Sequence, residues 1–256
     1  MFLQKFIYKL SNESSVRFND PNYLKLELEG LKISYRKMLS SPAVGNAVHP
    51  IVHLQRGLMQ DINGYHVRTS LIPYESQKFG RALNKDEINL KDTVYNMTLN
   101  AAGKCENGVK RVSLDPTVIV TGDSVAALDP VWHQDRLVHN IMSIGKDVSN
   151  QYTPAFDNND FATYYIFPLN IVVIPNGIHS VFAASLKDEA QYSIHAIVDL
   201  SNEEMFQNFN ALKFLTSRFK NPFTMPSLTL WANMIEASRE LVGHPEIAPK
   251  QIQPFL

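Results

Sequence analysis

The segment Ile171-Val172-Val173-Ile174-Pro175-Asn176-Gly177-Ile178-His179-Ser180 runs from β-branched residues through a proline and an Asn-Gly pair into a helix-compatible stretch. A helix that starts here exposes backbone N–H groups and the positive end of its dipole, an arrangement that favours anions and phosphate above all. Gly177 lets the backbone turn sharply and a ligand approach closely. Asn176, Gly177 and Ile178 are then candidate ligand contacts. His179 is a candidate phosphate contact or general acid/base, and Ser180 a hydroxyl donor. Ala183 and Ala184 would let the helix pack tightly on a sheet. The bland alternative is an ordinary strand-to-helix connection with Asn-Gly as turn and His179 or Ser180 as cap.

Other constellations are weaker. His49 and His53 would share a helical face if Pro50 opens a helix, but no third metal ligand can be assigned. His133, Asp135 and His139 cluster on one predicted helix, where a solvated face is the simpler account. Asp157 to Asp160 has the composition of a calcium loop without its glycine or its terminal glutamate. Cys105 has Lys104 beside it but no assignable histidine partner. No Walker-type loop, dinucleotide fingerprint or Gly-x-Ser-x-Gly elbow occurs.

The elements that must position these residues follow from periodicity and punctuation. A short amphipathic helix is predicted over residues 1–10 and another from Asp20-Pro21 to Ser40. His49 to Gly57 reads as either helix or strand, and Asn63-Gly64 as a turn that could close a hairpin. Helix is predicted for 84–102, and the glycine-containing charged segment 103–108 for a boundary. Beyond it come Val112 to Pro116, a strand at 118–120, a helix from Pro130 to Ile144 ending at Gly145, and strands at 163–167 and 170–174. The site helix at 179–186, an alternating strand at 192–199, and helices at 202–219 and 228–241 complete the chain. The pattern is α+β (mixed α/β): a largely helical region 1–103, a linker 104–111, an α/β core 112–201, and C-terminal helices 202–256 packed on it.

Composition sets the limits. The 256 residues are 45% hydrophobic, enough for one large or two small domains. The 24 basic and 25 acidic side chains nearly cancel, so no overall field draws in nucleic acid or anionic lipid. The single cysteine rules out an internal disulfide and suits a reducing compartment, so a cytoplasmic location is expected. The most apolar run, 164–175, is broken by Pro168 and Asn170 and is too short to span a bilayer.

The order Gly177, His179, Ala183, Ala184 after a hydrophobic strand resembles the G-x-H-R-x-x-A-A signature of the ParB/sulfiredoxin-like superfamily. Arg136 to Gly145 is similar to that family's helix ending in S-I-x-x-G, and Tyr192 to Asp199 to the strand after the signature helix. The resemblance covers roughly residues 112–200 and is that of a divergent member, akin to an uncharacterised bacterial domain family. It implies a ParB-like core with helical N- and C-terminal flanks. Members include CTP-dependent DNA clamps, nucleases, small-molecule kinases and ATP-using sulfiredoxins. Carried over, Gly177 and His179 would contact phosphate, with Arg136 and His139 on the helix flanking the pocket and a nucleotide with magnesium as the possible ligand. Ser180 stands where the family has arginine, and a hydroxyl replaces neither the charge nor the reach of a guanidinium.

Three functions follow. The first is a site for a phosphate-bearing ligand, a nucleotide or nucleic-acid end, with hydrolysis conceivable. The second is a non-catalytic module that binds a protein partner through its helical flanks. The third is a DNA-binding module, ranked last because only Lys104, Lys110 and Arg111 form a central basic cluster. The cations that would decide for the first are Arg111, Arg136, Lys146 and Lys187, if one reaches the place of the missing arginine.

Overall fold

The structure, a computed structural model, describes residues 21–40, 48–70, 110–128, 134–154, 163–174, 177–218 and 226–256. The sequence-predicted helices at 1–10 and 84–102, the boundary at 103–108, Cys105, His133 and the 157–160 loop lie outside these residues.

Helix α1 (Pro21–Leu39) buries Leu24, Leu31 and Tyr35, a spacing of seven and four that keeps them on one face. Helix α2 (Pro50–Ser70) buries Ile51, Val52, Gln55, Met59 and Ile62. The choice between helix and strand at 49–57 therefore falls to helix. The hairpin expected at Asn63-Gly64 is corrected, because both residues lie inside α2. The physical reason is tertiary: Asn63 is buried and its Nδ2 donates to the carbonyl of Ala127 at 3.0 Å, a bond that holds the side chain against the sheet.

The sheet has the order β1-β5-β3-β4-β2. Its strands are β1 (Lys110–Thr121), β2 (Ala126–Leu128), β3 (Tyr164–Phe167), β4 (Ile171–Val173) and β5 (Gln191–Asp199). β1 pairs antiparallel with β5, β5 runs parallel to β3, β3 antiparallel to β4, and β4 parallel to β2. Every residue of β3 and β4 is buried, so these central strands read as continuous apolar runs. Pro116 is accommodated because β1 is an edge strand whose register shifts between Ser113 and Val118.

Helix α3 (Gln134–Ser143) precedes β3, and α4 (Ile178–Leu186) links β4 to β5. The C-terminal helices are α5 (Glu204–Gln207), α6 (Ala211–Arg218) and α7 (Pro226–Ala237). The helix expected over 202–219 is thus two, and the one expected over 228–241 turns into a 3-10 segment at Ser238. From Ser227 to Ser238 every residue of α7 and its extension is buried, because the helix is enclosed by α1, α2 and α6. A single apolar core runs from α1 and α2 through the sheet to α7 and to Ile252 near the end of the chain. The architecture is α+β.

Charged groups inside this core are paired. Glu236 of α7 accepts from the backbone N–H of Ala211 at 2.7 Å and pairs with Arg239 at 3.0 Å and Lys32 at 3.5 Å. Arg239 in turn donates to the carbonyls of Gln207 and Phe209. One carboxylate thereby caps α6 and fixes it to α1 and α7. Glu27 of α1 is held differently. Its Oε2 accepts from Asn233 Nδ2 at 2.7 Å, but burial, with Asp61 adding to it, pushes its carboxyl up to about 7.

A carboxyl whose pKa is raised by folding contributes stability that is fully present below pH 4.5 and is lost as pH rises through about 7. Glu27→Gln keeps an acceptor for Asn233 and removes the buried charge. The variant should therefore gain over wild type as pH rises from 5 to 8, reaching on the order of 2 kcal/mol, or about 5 °C in Tm. Thermal unfolding across that range checks it, and a difference that stays flat with pH overturns it.

Candidate functional site

Strand β4 ends in the core, and the chain re-emerges at Gly177, which is solvent-exposed and adopts the left-handed conformation (φ 73°) as the N-cap of α4. As N-cap, Gly177 brings no side chain of its own to the helix start. Its first turn then divides. Ile178 and His179 are turned inward, at 3% and 7% exposure, while Ser180 is half-buried at the surface of a cavity. Ala183 and Ala184 are fully buried and allow α4 to pack closely on α3.

The cavity at this helix start measures about 370 Å³. Gly177, Ser180 and Val181 of α4 form one wall, Thr163, Ser193 and His195 another, and Asn150 to Pro154 a third. Ser180 Oγ accepts from Asn140 Nδ2 at 3.1 Å, so α3 does flank the site, through Asn140. Ser193 Oγ donates to Thr117 Oγ1 at 3.1 Å. Burial pushes the Tyr152 hydroxyl up to about 12, which keeps it neutral and able to donate. The described wall carries hydroxyls, carboxamides and one imidazole, and no lysine, arginine or carboxylate.

The residues singled out in the sequence separate accordingly. Gly177 and Ser180 face the cavity, and Ile178 belongs to the apolar core. His179 is buried and outside the cavity wall. Arg136 and His139 are exposed on α3 and also outside it. Asn176 lies outside the described residues. Lys187 is engaged elsewhere: its Nζ donates to Asp147 at 2.8 and 2.9 Å and to the carbonyl of Ile144 at 2.6 Å. That bond holds the Asp147 carboxyl below its usual range. Lys146 faces a second cavity, and of Arg111 only the backbone is described. His49 is buried, and its Nδ1 accepts from the N–H of Ile51 at 3.3 Å, whereas His53 is exposed. No group of three or more histidine, cysteine or acidic residues suited to a metal ion exists among the described residues.

Sequence reasoning missed Ser193 and His195, although their signal was present. In β5, Gln191, Ser193 and His195 alternate with Tyr192 and Ile194, so a polar row occupies one face of a strand paired on both sides. A second and larger cavity, about 750 Å³, adjoins the first and shares Gln151, Gln191 and Tyr192 with it.

A family model described as a family of unknown function (DUF6710) matches residues 32–224, about three quarters of the chain. The chain belongs to this family. No curated protein and no solved structure matches it. The DUF6710 span runs through the predicted linker 104–111 and takes in all five strands, α2, α3 and α4, and so both cavities. In this DUF6710 chain no described helix is long and apolar enough to cross a membrane.

Two glycines close to α4 are constrained, for different reasons. Gly145, at φ 136° and ψ 160°, occupies a region open essentially to glycine alone, and an added Cβ would also press on the paired Asp147 and Lys187 side chains. Gly177 faces open space and is constrained only by its φ of 73°. Gly145→Ala should cost on the order of 3 kcal/mol and Gly177→Ala about 1 kcal/mol. Urea unfolding of both variants checks the ranking, and equal losses overturn it.

Proposed function

We propose that this DUF6710 protein binds a small ligand carrying one phosphate group, with that group at the start of α4. The observation that carries the reading is the cavity of about 370 Å³ at the glycine-led start of α4. The dipole end and the hydroxyls of Ser180 and Thr163 suit a single anionic group. The ParB-like order of Gly177, Ala183 and Ala184 supports the same placement. The reading is confined to binding: the described wall offers neither a cation for a polyphosphate nor a carboxylate to pair with His195. With no formal positive charge beside it, a phosphate monoester should bind with Kd on the order of 0.1 to 1 mM.

The reading is tested by restoring the arginine that the family signature carries. Ser180→Arg places a guanidinium in the cavity and should tighten phosphate or a phosphate monoester about tenfold in isothermal titration calorimetry. A variant that unfolds at the wild-type temperature and gains no affinity overturns the phosphate assignment.

A second reading is favoured by one surface feature. Leu26 and Ile33 of α1 are 71% and 60% exposed, and their spacing of seven places them on one face. That stripe fits the alternative of a module that meets a protein partner through its N-terminal flank. Replacing both by lysine should abolish any co-purifying partner and leave the Tm within about 2 °C of wild type, since the two side chains are already in water.

A further inference from the structure

We infer that the two cavities are lobes of one groove along α4, and that its occupant is a nucleoside monophosphate, free or as the terminal nucleotide of a nucleic acid. The inference rests on the phosphate assignment to the smaller lobe and adds what the larger lobe holds.

The lobes are continuous in their lining. Gln151, Gln191 and Tyr192 belong to both. Helix α4 floors the two in succession: Gly177, Ser180 and Val181 face the smaller, and Phe182, Ser185 and Leu186 the larger. Nine helical residues span about 13 Å, so a ligand filling both lobes must be elongated. A bare phosphate is too short, whereas a phosphate separated from a ring system by a sugar matches that reach.

The chemistry of the larger lobe points to a planar heterocycle. Phe182, half-buried, offers aromatic surface on which a ring can stack, and the buried Met59 and Tyr192 keep the lining beside it apolar. Gln60, Gln151 and Gln191 present carboxamides, each with a donor beside an acceptor, the pattern that matches the edge of a nucleobase. Its charges almost balance, Arg56 and Lys146 against Asp123, Asp188 and Glu189, so the lobe selects neither a polyanion nor a polycation. The described wall of the smaller lobe carries no cation, which disfavours a polyphosphate at that end.

Calorimetric titration of the full chain with inorganic phosphate, the four nucleosides, their 5′-monophosphates and triphosphates, and a 5′-phosphorylated trinucleotide tests this. At least one monophosphate should bind about tenfold or more tighter than both its nucleoside and phosphate, and tighter than its triphosphate. Gln60→Ala combined with Gln151→Ala, both at exposed positions, should weaken that monophosphate about tenfold and leave phosphate unchanged. A trinucleotide that binds tighter than the monophosphate assigns the site to a nucleic-acid end, and one that binds more weakly assigns it to the free nucleotide. If phosphate binds and no monophosphate exceeds it, the two-lobed groove is overturned while the phosphate site stands. If neither phosphate nor any monophosphate binds, both fall.

Discussion

The carboxamide of Gln55 is the contact on which the geometry of this protein depends. It is fully buried, donates to the carbonyl of Leu169 at 2.7 Å and accepts from Asn170 Nδ2 at 2.9 Å. Asn170, also fully buried and left-handed at φ 54°, accepts in turn from the Tyr165 hydroxyl at 2.8 Å. Three polar side chains with no access to water thus satisfy one another and the turn between β3 and β4. Such a network is stabilising only when its members are all present, because a lone survivor would be a buried polar group without a partner. It therefore fixes where α2 crosses the sheet. One turn further along α2, Met59, Gln60 and Asn63 line the larger cavity, so the position of that wall is inherited from Gln55.

Charge is distributed by the same economy. Lys187, one of the cations considered for the place of the missing arginine, closes the loop after α3 through Asp147 and Ile144, and elsewhere in the fold Lys32 and Arg239 neutralise the buried carboxylate of Glu236. Pairing at these places lowers the cost of burying charge. With Lys187 so engaged, the described wall of the smaller cavity carries no formal charge.

The sheet was largely legible because β3, β4 and β5 carry strong, distinct patterns: unbroken apolar runs for the two buried strands and alternation for β5. β2 was not legible, since Ala126-Ala127-Leu128 is too short to show a period and gains its structure by pairing with β4. The Asn63-Gly64 signal misled for a related reason. Local turn preference is worth about 1 kcal/mol in a helix, and burial of the neighbouring Ile62 together with the Asn63–Ala127 bond outweighs it. At the site, the glycine-led helix start was readable from β-branched residues followed by Asn-Gly. Which way His179 and Ser180 face was not, because it depends on where α3 and the sheet lie around that turn.

The size of residue 180 completes the argument. In a helix capped by Gly177, Ser180 is the polar first-turn side chain that reaches the cavity, and it is short enough to take its hydrogen bond from Asn140 on the neighbouring helix. A long cationic side chain at that position would occupy the space itself and hold an anion at its tip. Serine leaves the volume open and the wall neutral, so room for a larger group and weaker hold on charge arise from the same residue. The neutral wall leaves any selectivity of this open volume to the polar groups along β5 and α2 that surround it.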